Sequence, residues 1–141
     1  MTVLRPEITI DSLHERQRGM LPDLLGVRIV ALAQGTLTGE LAIRPQLLAP
    51  NGFLHAATVI GLADTCCGYA CIAHLPEQAP NFTTLELKSN FLGTCREGTI
   101  RAVATAVHLG RSTHVWDATV FDPTGRTIAL FRCTQMLLRQ A

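Results

Sequence analysis

The feature that most constrains this chain is the segment from Ala56 to Ala73, which is apolar or small throughout except for one charged side chain, Asp64. It shows no two-residue alternation and no turn signal, so it predicts a helix that starts at His55 and is about 30 Å long. That length would suit a membrane span. However, two glycines, two threonines and Asp64 interrupt the segment, and no aromatic or basic anchors flank it. We therefore expect a central helix that other elements wrap.

The carboxylate of Asp64 is the second informative feature. A charge among so many residues that favour burial costs free energy unless it is paired, hydrogen-bonded or used in chemistry. His55, nine positions earlier and just after Pro50-Asn51-Gly52, favours a chemical use. Two structural alternatives stay open. Asp64 could cap a helix that restarts after a kink near Gly61, and His55 could simply bond a loop carbonyl at the helix start.

Length and charge set the class of protein. At 141 residues the chain predicts one domain, 1–141, with a helical extension over residues 1–22. It has 12 basic and 11 acidic residues, a balance that favours neither nucleic acid nor an anionic membrane as partner. Only 16% of residues are charged against 48% that are hydrophobic. We therefore expect a homo-oligomer that hides part of its surface.

Cysteine usage indicates the compartment. There are five cysteines, an odd number, and the first ten residues contain no apolar signal-peptide core. We expect reduced thiols in a cytoplasmic protein. Cys66, Cys67 and Cys71 fall within the helix without a Cys-x-x-Cys pair, so they are interpreted as small core residues rather than metal ligands.

The remaining segments predict an α+β fold. Residues 11–20 predict a short polar helix capped by Asp11 or Ser12, and residues 24–33 and 36–44 predict a β-hairpin. After the central helix come a loop over 74–80 and strand-like segments over 81–92, 99–109, 113–121 and 126–138. Short links imply antiparallel neighbours. The sum is a curled antiparallel sheet of five to six strands around one long central helix.

Three motifs make the chain resemble a known family. They are the Asn-Gly-x-x-His entry to the helix, the Leu62-Ala63-Asp64-Thr65 step, and the closing Ile128-Ala129-Leu130-Phe131-Arg132. Together they resemble the hotdog-fold acyl-CoA thioesterases, and most of all the phenylacetic-acid-degradation subfamily, over roughly residues 24–138. The resemblance implies hydrolysis of an aryl or short- to medium-chain acyl-CoA. It further implies no metal, no cofactor beyond the coenzyme A of the substrate, and a dimer or tetramer with sites at subunit interfaces.

The resemblance also implies roles for individual residues. Asp64 stands where the family has its catalytic carboxylate, which acts as general base or as nucleophile. His55 and Ala56 stand at the start of the family's His-Gly-Gly, where the N–H of the second residue polarises the thioester carbonyl. A helix N-terminus supplies free N–H groups and a positive dipole end, so Ala56 is a sound oxyanion donor.

Thr84 stands where the family has a serine or threonine that assists the attacking water. It could equally be an ordinary strand threonine, and an error of one residue would exchange it with Thr83. By alternation, Glu86, Lys88 and Asn90 share the face of Thr84 and predict a solvated or interface surface.

The chain departs from the family pattern at two places. Ala56 and Ala57 replace the two glycines, and each added Cβ narrows the approach of the acyl group. Ala49 stands where many members have an amide side chain, and the nearest amide is Asn51, which could reach the same place by a shorter loop. The two alanines in place of glycines motivate an alternative function, a non-catalytic module that binds acyl-CoA. A hotdog enoyl-CoA hydratase ranks last because no Asp–His pair can be placed for it.

Two further groups of residues are candidates for substrate contacts. Arg111 and Ser112, in the loop 110–113, suit the phosphates of coenzyme A, although a polar hairpin tip explains them nearly as well. Aromatic and aliphatic side chains near the helix ends could line the acyl pocket, with facings that alternation does not settle: Phe53, Leu54, Tyr69, Phe82 and Phe91.

Helical geometry adds a prediction about assembly. Residues 55 and 64 are separated by about 13 Å along the axis and by about 900° of rotation, which places them on opposite sides of the helix. One chain cannot bring both to the same carbonyl carbon. If both act, each site combines His55 and Ala56 of one subunit with Asp64 of a partner related by a two-fold axis.

Overall fold

The computed structural model describes residues 2–141, whose strands form one antiparallel sheet of six. The order across the sheet is β1-β2-β4-β5-β6-β3, which leaves β1 and β3 at the two edges. The strands are β1 (Arg28–Ala33), β2 (Thr36–Ala42), β3 (Asn81–Phe91), β4 (Thr99–Leu109), β5 (Thr113–Phe121) and β6 (Thr127–Leu138). The helices are α1 (Ile10–Gln17), α2 (Leu21–Leu25) and α3 (Ala56–Ala73). The predicted α+β architecture, a curled sheet around one long helix, is confirmed.

The helix α3 packs against the inner face of this sheet. Strand β5 shows the pattern most clearly, because every second residue from His114 to Val120 is buried and points toward the helix. Small side chains let α3 approach closely. A Cβ added at Gly39 of β2 would lie 2.5 Å from Sγ of Cys66, so this strand position accepts only glycine without movement.

The three cysteines of α3 are buried free thiols, which agrees with their interpretation as small core residues. Burial raises the pKa of the thiols of Cys66 and Cys71 to about 12, so both are protonated at neutral pH. Helix α3 is long and apolar enough to cross a membrane by length and composition alone. Here it is the core helix, with most of its residues buried against the sheet.

The N-terminal segment differs from the prediction in two details. Helix α1 is capped by Thr9, not by Asp11 or Ser12, because the side chains of Thr9 and Ser12 bond each other's backbone N–H in a capping box. The strand predicted from residue 24 begins only at Arg28. Leu24 lies in α2, which has a proline in its first turn and ends at Gly26 with φ +81°.

Candidate active site

His55 ends a tight loop and caps the core helix. Asn51 Oδ1 accepts from the N–H of Phe53 at 3.1 Å, and Gly52 has φ +86°, so the chain reverses direction just before α3. His55 then takes the N-cap position, where Nδ1 accepts from the N–H of Ala57 at 2.9 Å. Since Nδ1 accepts, the proton of the neutral ring is on Nε2.

This cap leaves one backbone donor free at the start of α3. The N–H of Ala57 bonds the ring of His55, and those of Thr58 and Val59 bond its carbonyl oxygen. Within residues 2–141, the N–H of Ala56 has no hydrogen-bond acceptor, and Ala56 is exposed. The first N–H groups of a helix carry its positive end. The predicted oxyanion donor is therefore geometrically available.

Asp64 lies midway along α3 and caps nothing, because the helix runs unbroken from Ala56 to Ala73. The alternative in which Asp64 caps a restarted helix near Gly61 is wrong. Its Oδ1 is buried, and no hydrogen-bond partner for it exists in the described part of the chain. Burial raises the pKa of this carboxyl above its ordinary value. A carboxylate held without a partner destabilises a fold, and such groups concentrate at functional sites.

Asp64 belongs to a partly open stripe on α3. Ile60, Gly61, Asp64 and Thr65 are half-buried, whereas most of the helix is fully buried. Positions three and four apart share one helix face, so Gly68, which is buried, lies in line with the stripe one turn beyond Asp64. Sequence reasoning did not assign Gly68 to the site, although this spacing of four was the available signal.

The edge strand β3 exposes large apolar side chains. Its hydrogen-bonding edge away from β6 has no partner strand in the described chain. Leu85 is 54%, Leu87 40% and Phe91 46% exposed. An uncovered edge strand of eleven residues that exposes such side chains is a surface that natural proteins usually pair or cover.

A β-bulge decides which residues of β3 face the helix. Thr84 pairs with Gln135 but Glu86 pairs with Thr134, so Leu85 is an extra residue. Directly paired residues share a face, and Gln135 is buried on the inner face. Thr84 therefore faces inward, as its predicted role requires, and Thr83 faces outward.

The prediction that Glu86, Lys88 and Asn90 share the face of Thr84 is wrong. They pair with outward-facing residues of β6, because the bulge shifts the alternation by one residue. Phe91, beyond the bulge, pairs with the buried Ala129 and faces inward.

Arg111 and Ser112 form the tip of the β4–β5 hairpin. The N–H of Gly110 bonds the carbonyl oxygen of Thr113 at 2.9 Å, and Nη2 of Arg139 bonds the carbonyl oxygen of Arg111 at 2.5 Å. Both arginines border a surface cavity of about 460 Å³. The cavity is lined by Thr2, Pro76, Gln78, Leu109, Gly110, Arg111 and Arg139.

Other titratable side chains near α3 have structural roles. His74 Nδ1 donates to the carbonyl oxygen of Ala70 at 2.7 Å, and Nε2 accepts from the N–H of Gly35 at 2.9 Å. Burial lowers the pKa of His114 to about 4, and its Nδ1 lies 3.4 Å from Sγ of Cys71. Over residues 2–141, no group of three His, Cys, Asp or Glu side chains is arranged to hold a metal ion.

Comparisons with known proteins identify the class. The model of the thioesterase superfamily matches residues 51–129. A mutant thioesterase from Pseudomonas aeruginosa has a crystal structure that superposes with a TM-score of 0.92, at 30% identity over 97% of this chain and 99% of that one. The 1,4-dihydroxy-2-naphthoyl-CoA hydrolase of Escherichia coli is 27% identical, covering 96% of this chain and 99% of the relative.

A protein of the phenylacetic acid degradation type, which the sequence motifs resemble, shares this fold. The PaaI protein of the Escherichia coli phenylacetic acid degradation operon superposes with a TM-score of 0.80, at 24% identity over 90% of both chains, which shows the shared fold. The chain belongs to the thioesterase superfamily, with the hotdog fold. It is a thioester hydrolase, as the resemblance implied.

Proposed function

We propose that this protein hydrolyses acyl-CoA thioesters with an aryl or short- to medium-chain acyl group, in an active site shared by two copies of the chain. Asp64 of one copy acts on water, and the N–H of Ala56 in the other copy binds the developing oxyanion. The observation that carries the proposal is the buried, unpartnered Oδ1 of Asp64. Names of relatives that act on a naphthoyl-CoA support the aryl class.

The chemistry follows from the two groups. Asp64, as general base, takes a proton from water while the oxygen of that water attacks the carbonyl carbon of the thioester. The carbonyl oxygen gains negative charge, which the free N–H of Ala56 and the positive end of α3 stabilise. The C–S bond then breaks, the proton goes to the sulfur of the leaving CoA, and the acid is released. His55 positions the helix start, because its Nδ1 accepts from the N–H of Ala57.

The shared site follows from one unbroken helix. Ala56 and Asp64 lie about 12 Å apart along α3, which exceeds the size of a thioester group. Pairing of two β3 edges around a two-fold axis would cover the exposed apolar side chains of this strand and juxtapose the open stripes of two α3 helices. We therefore propose a homodimer through β3. Thr84 and Phe91 face inward on this strand, within the proposed interface.

Thioester hydrolysis is tested by thiol release from a panel of acyl-CoAs. Asp64→Asn keeps the shape of the side chain but cannot accept the proton, so we expect kcat to fall by at least about 10²-fold. Asp11→Asn, at an exposed position of α1, is the matched control for the loss of a carboxylate. Activity of Asp64→Asn within about twofold of the parent would overturn the assignment of Asp64.

The coenzyme A subsite is tested separately. Replacing Arg111 by Ala removes a guanidinium that is in no ion pair among residues 2–141, at a cavity that Arg139 also borders. We expect KM for benzoyl-CoA to rise about tenfold, since charge-assisted bonds to phosphate are lost. KM for the N-acetylcysteamine thioester, which lacks the nucleotide, should not change. Equal effects on both substrates would contradict a role in binding the nucleotide.

A further inference from the structure

An aromatic ring closes the open stripe of α3 one turn beyond Asp64. Gly68 has no side chain, and a Cβ built there would lie 3.2 Å from Cζ and 3.9 Å from Cε2 of Phe82. The ring of Phe82 therefore rests almost directly on the backbone of the helix. Because Asp64 and Gly68 are four residues apart, they lie on the same face, separated by about 6 Å along the axis.

The position of Phe82 is fixed by the sheet. It pairs with Leu137, which is 5% exposed, so Phe82 faces inward on the edge strand. The ring is half-buried and packs against the core. A side chain at this place is held by its neighbours and stays partly exposed.

Side chains from other elements limit the space beside Asp64 on both sides along the helix. On the N-terminal side of the stripe, Ile60 carries a bulky side chain, and Leu25 Cδ1 lies 2.7 Å from where a Cβ of Gly61 would be. On the C-terminal side, the ring of Phe82 covers the backbone of Gly68, which is buried. An acyl group whose carbonyl carbon is next to Asp64 therefore meets the ring of Phe82 about one turn further along the helix.

We propose that Phe82 determines the acyl specificity of this enzyme. Its ring forms a flat wall at the end of the acyl pocket, which accommodates a planar aryl group and excludes long linear chains. The preference follows because aromatic rings pack well against each other in offset and edge-to-face arrangements, whereas a linear chain would have to displace a side chain held by the core. This inference rests on the proposed function, since it assumes hydrolysis of acyl-CoA beside Asp64.

The test compares kcat/KM for benzoyl-CoA and decanoyl-CoA. We expect the parent enzyme to prefer benzoyl-CoA. Phe82→Ala removes the wall, so the ratio of the two values should shift toward decanoyl-CoA by at least about tenfold, and Phe82→Leu should fall in between. Leu130→Ala is the matched control, because Leu130 is 47% exposed on the outer face of β6 and should leave the ratio unchanged.

A second variant tests the contact itself. Gly68→Ala places a methyl group against the ring and pushes it into the pocket, so kcat/KM for benzoyl-CoA should fall. In the double variant with Phe82→Ala there is no ring to push, so Gly68→Ala should have no further effect. Should Phe82→Ala fail to fold, Phe82→Leu and Gly68→Ala decide the question.

Two results would overturn the inference alone. One is an active parent enzyme that prefers decanoyl-CoA, and the other is a ratio that stays within about twofold of the parent in every Phe82 and Gly68 variant. A parent enzyme that releases no thiol from any acyl-CoA would instead overturn the proposed function, and this inference with it.

Discussion

Asp64 shows how the demands of stability and of chemistry conflict at a single residue. It is the only charged side chain of α3, and its Oδ1 is buried without a partner in the described chain. In the folded protein its carboxyl holds a proton to higher pH than in the unfolded chain, because burial raises its pKa. At every pH above the pKa of Asp64 in the unfolded chain, this difference therefore lowers the free energy of unfolding.

We accordingly predict that Asp64→Asn stabilises the fold while it removes activity. The gain should be about 1 kcal/mol at pH 7, since an amide avoids the cost of a buried unpaired charge. It should vanish as the pH falls toward the ordinary aspartate value of 3.8, where the parent carboxyl is protonated. Urea unfolding at a series of pH values measures both effects.

Asp122 provides a control of opposite sign. Its Oδ1 accepts from the N–H and the hydroxyl of Thr124 and from the N–H of Arg126, and these bonds lower its pKa. Asp122→Asn should therefore destabilise the protein at neutral pH and lose that effect on acidification. A stability gain from Asp64→Asn that grew toward acid pH would contradict this account. It would show that the fold does not disfavour the ionised carboxylate of Asp64.

At the scale of elements, β3 is the strand whose position in the sheet has the largest consequence. It is an edge strand with exposed apolar side chains on its inner face. An inward-pointing charge is one device by which proteins keep such an edge from pairing, and the charges that β3 already carries, Glu86 and Lys88, face outward.

We predict that Leu87→Lys dissociates the protein to monomers and abolishes thioesterase activity at the same time. Sedimentation velocity and thiol release should show the two losses together. Val30→Lys is the matched control, since Val30 is 38% exposed on β1, the opposite edge strand. A monomeric but fully active Leu87→Lys variant would refute the shared site.

The elements that sequence reasoning placed well are those with a strong local signal. The apolar stretch of α3 and the alternation of β4, β5 and β6 depend on the residues of each segment alone. The sequence pattern wrongly predicts a strand from Leu24, which lies in α2. Leu24 and Leu25 are apolar like strand residues, and only Gly26 separates them from the segment of β1.

The bulge at Leu85 could not be seen in the sequence for a different reason. Register depends on the partner strand β6, which is distant along the chain. Because the one-residue shift at the bulge is missing from the prediction, Glu86, Lys88 and Asn90 are wrongly placed on the face of Thr84. The availability of Ala56 N–H also depended on structure, since it results from His55 bonding Ala57 instead.

At the scale of the whole molecule, the proposed site makes each copy dependent on its partner. One variant that lacks the carboxylate and another that lacks the oxyanion donor should therefore complement each other. Ala56→Pro is suited to the second role. Proline is favoured at the first position of a helix and has no N–H to donate.

We predict that Asp64→Asn and Ala56→Pro, each nearly inactive alone, regain activity when they are mixed and allowed to exchange subunits. In a mixed dimer one site carries both defects and the other carries neither. Random exchange of equal amounts should restore about a quarter of the parent activity. The control is the same mixture after chemical cross-linking of each parent dimer, which prevents exchange. No recovery after verified exchange would place both groups within one chain.

The unpaired edge of β3 also has a consequence for kinetics. If a monomer carries the Asp64 carboxylate and the Ala56 N–H but cannot bring both to one thioester, dilution lowers the activity per chain. Below the dissociation constant of the dimer, the rate would then rise with the square of the protein concentration instead of in proportion to it. The concentration of complete active sites would then depend on the dimerisation equilibrium as well as on the total amount of the chain.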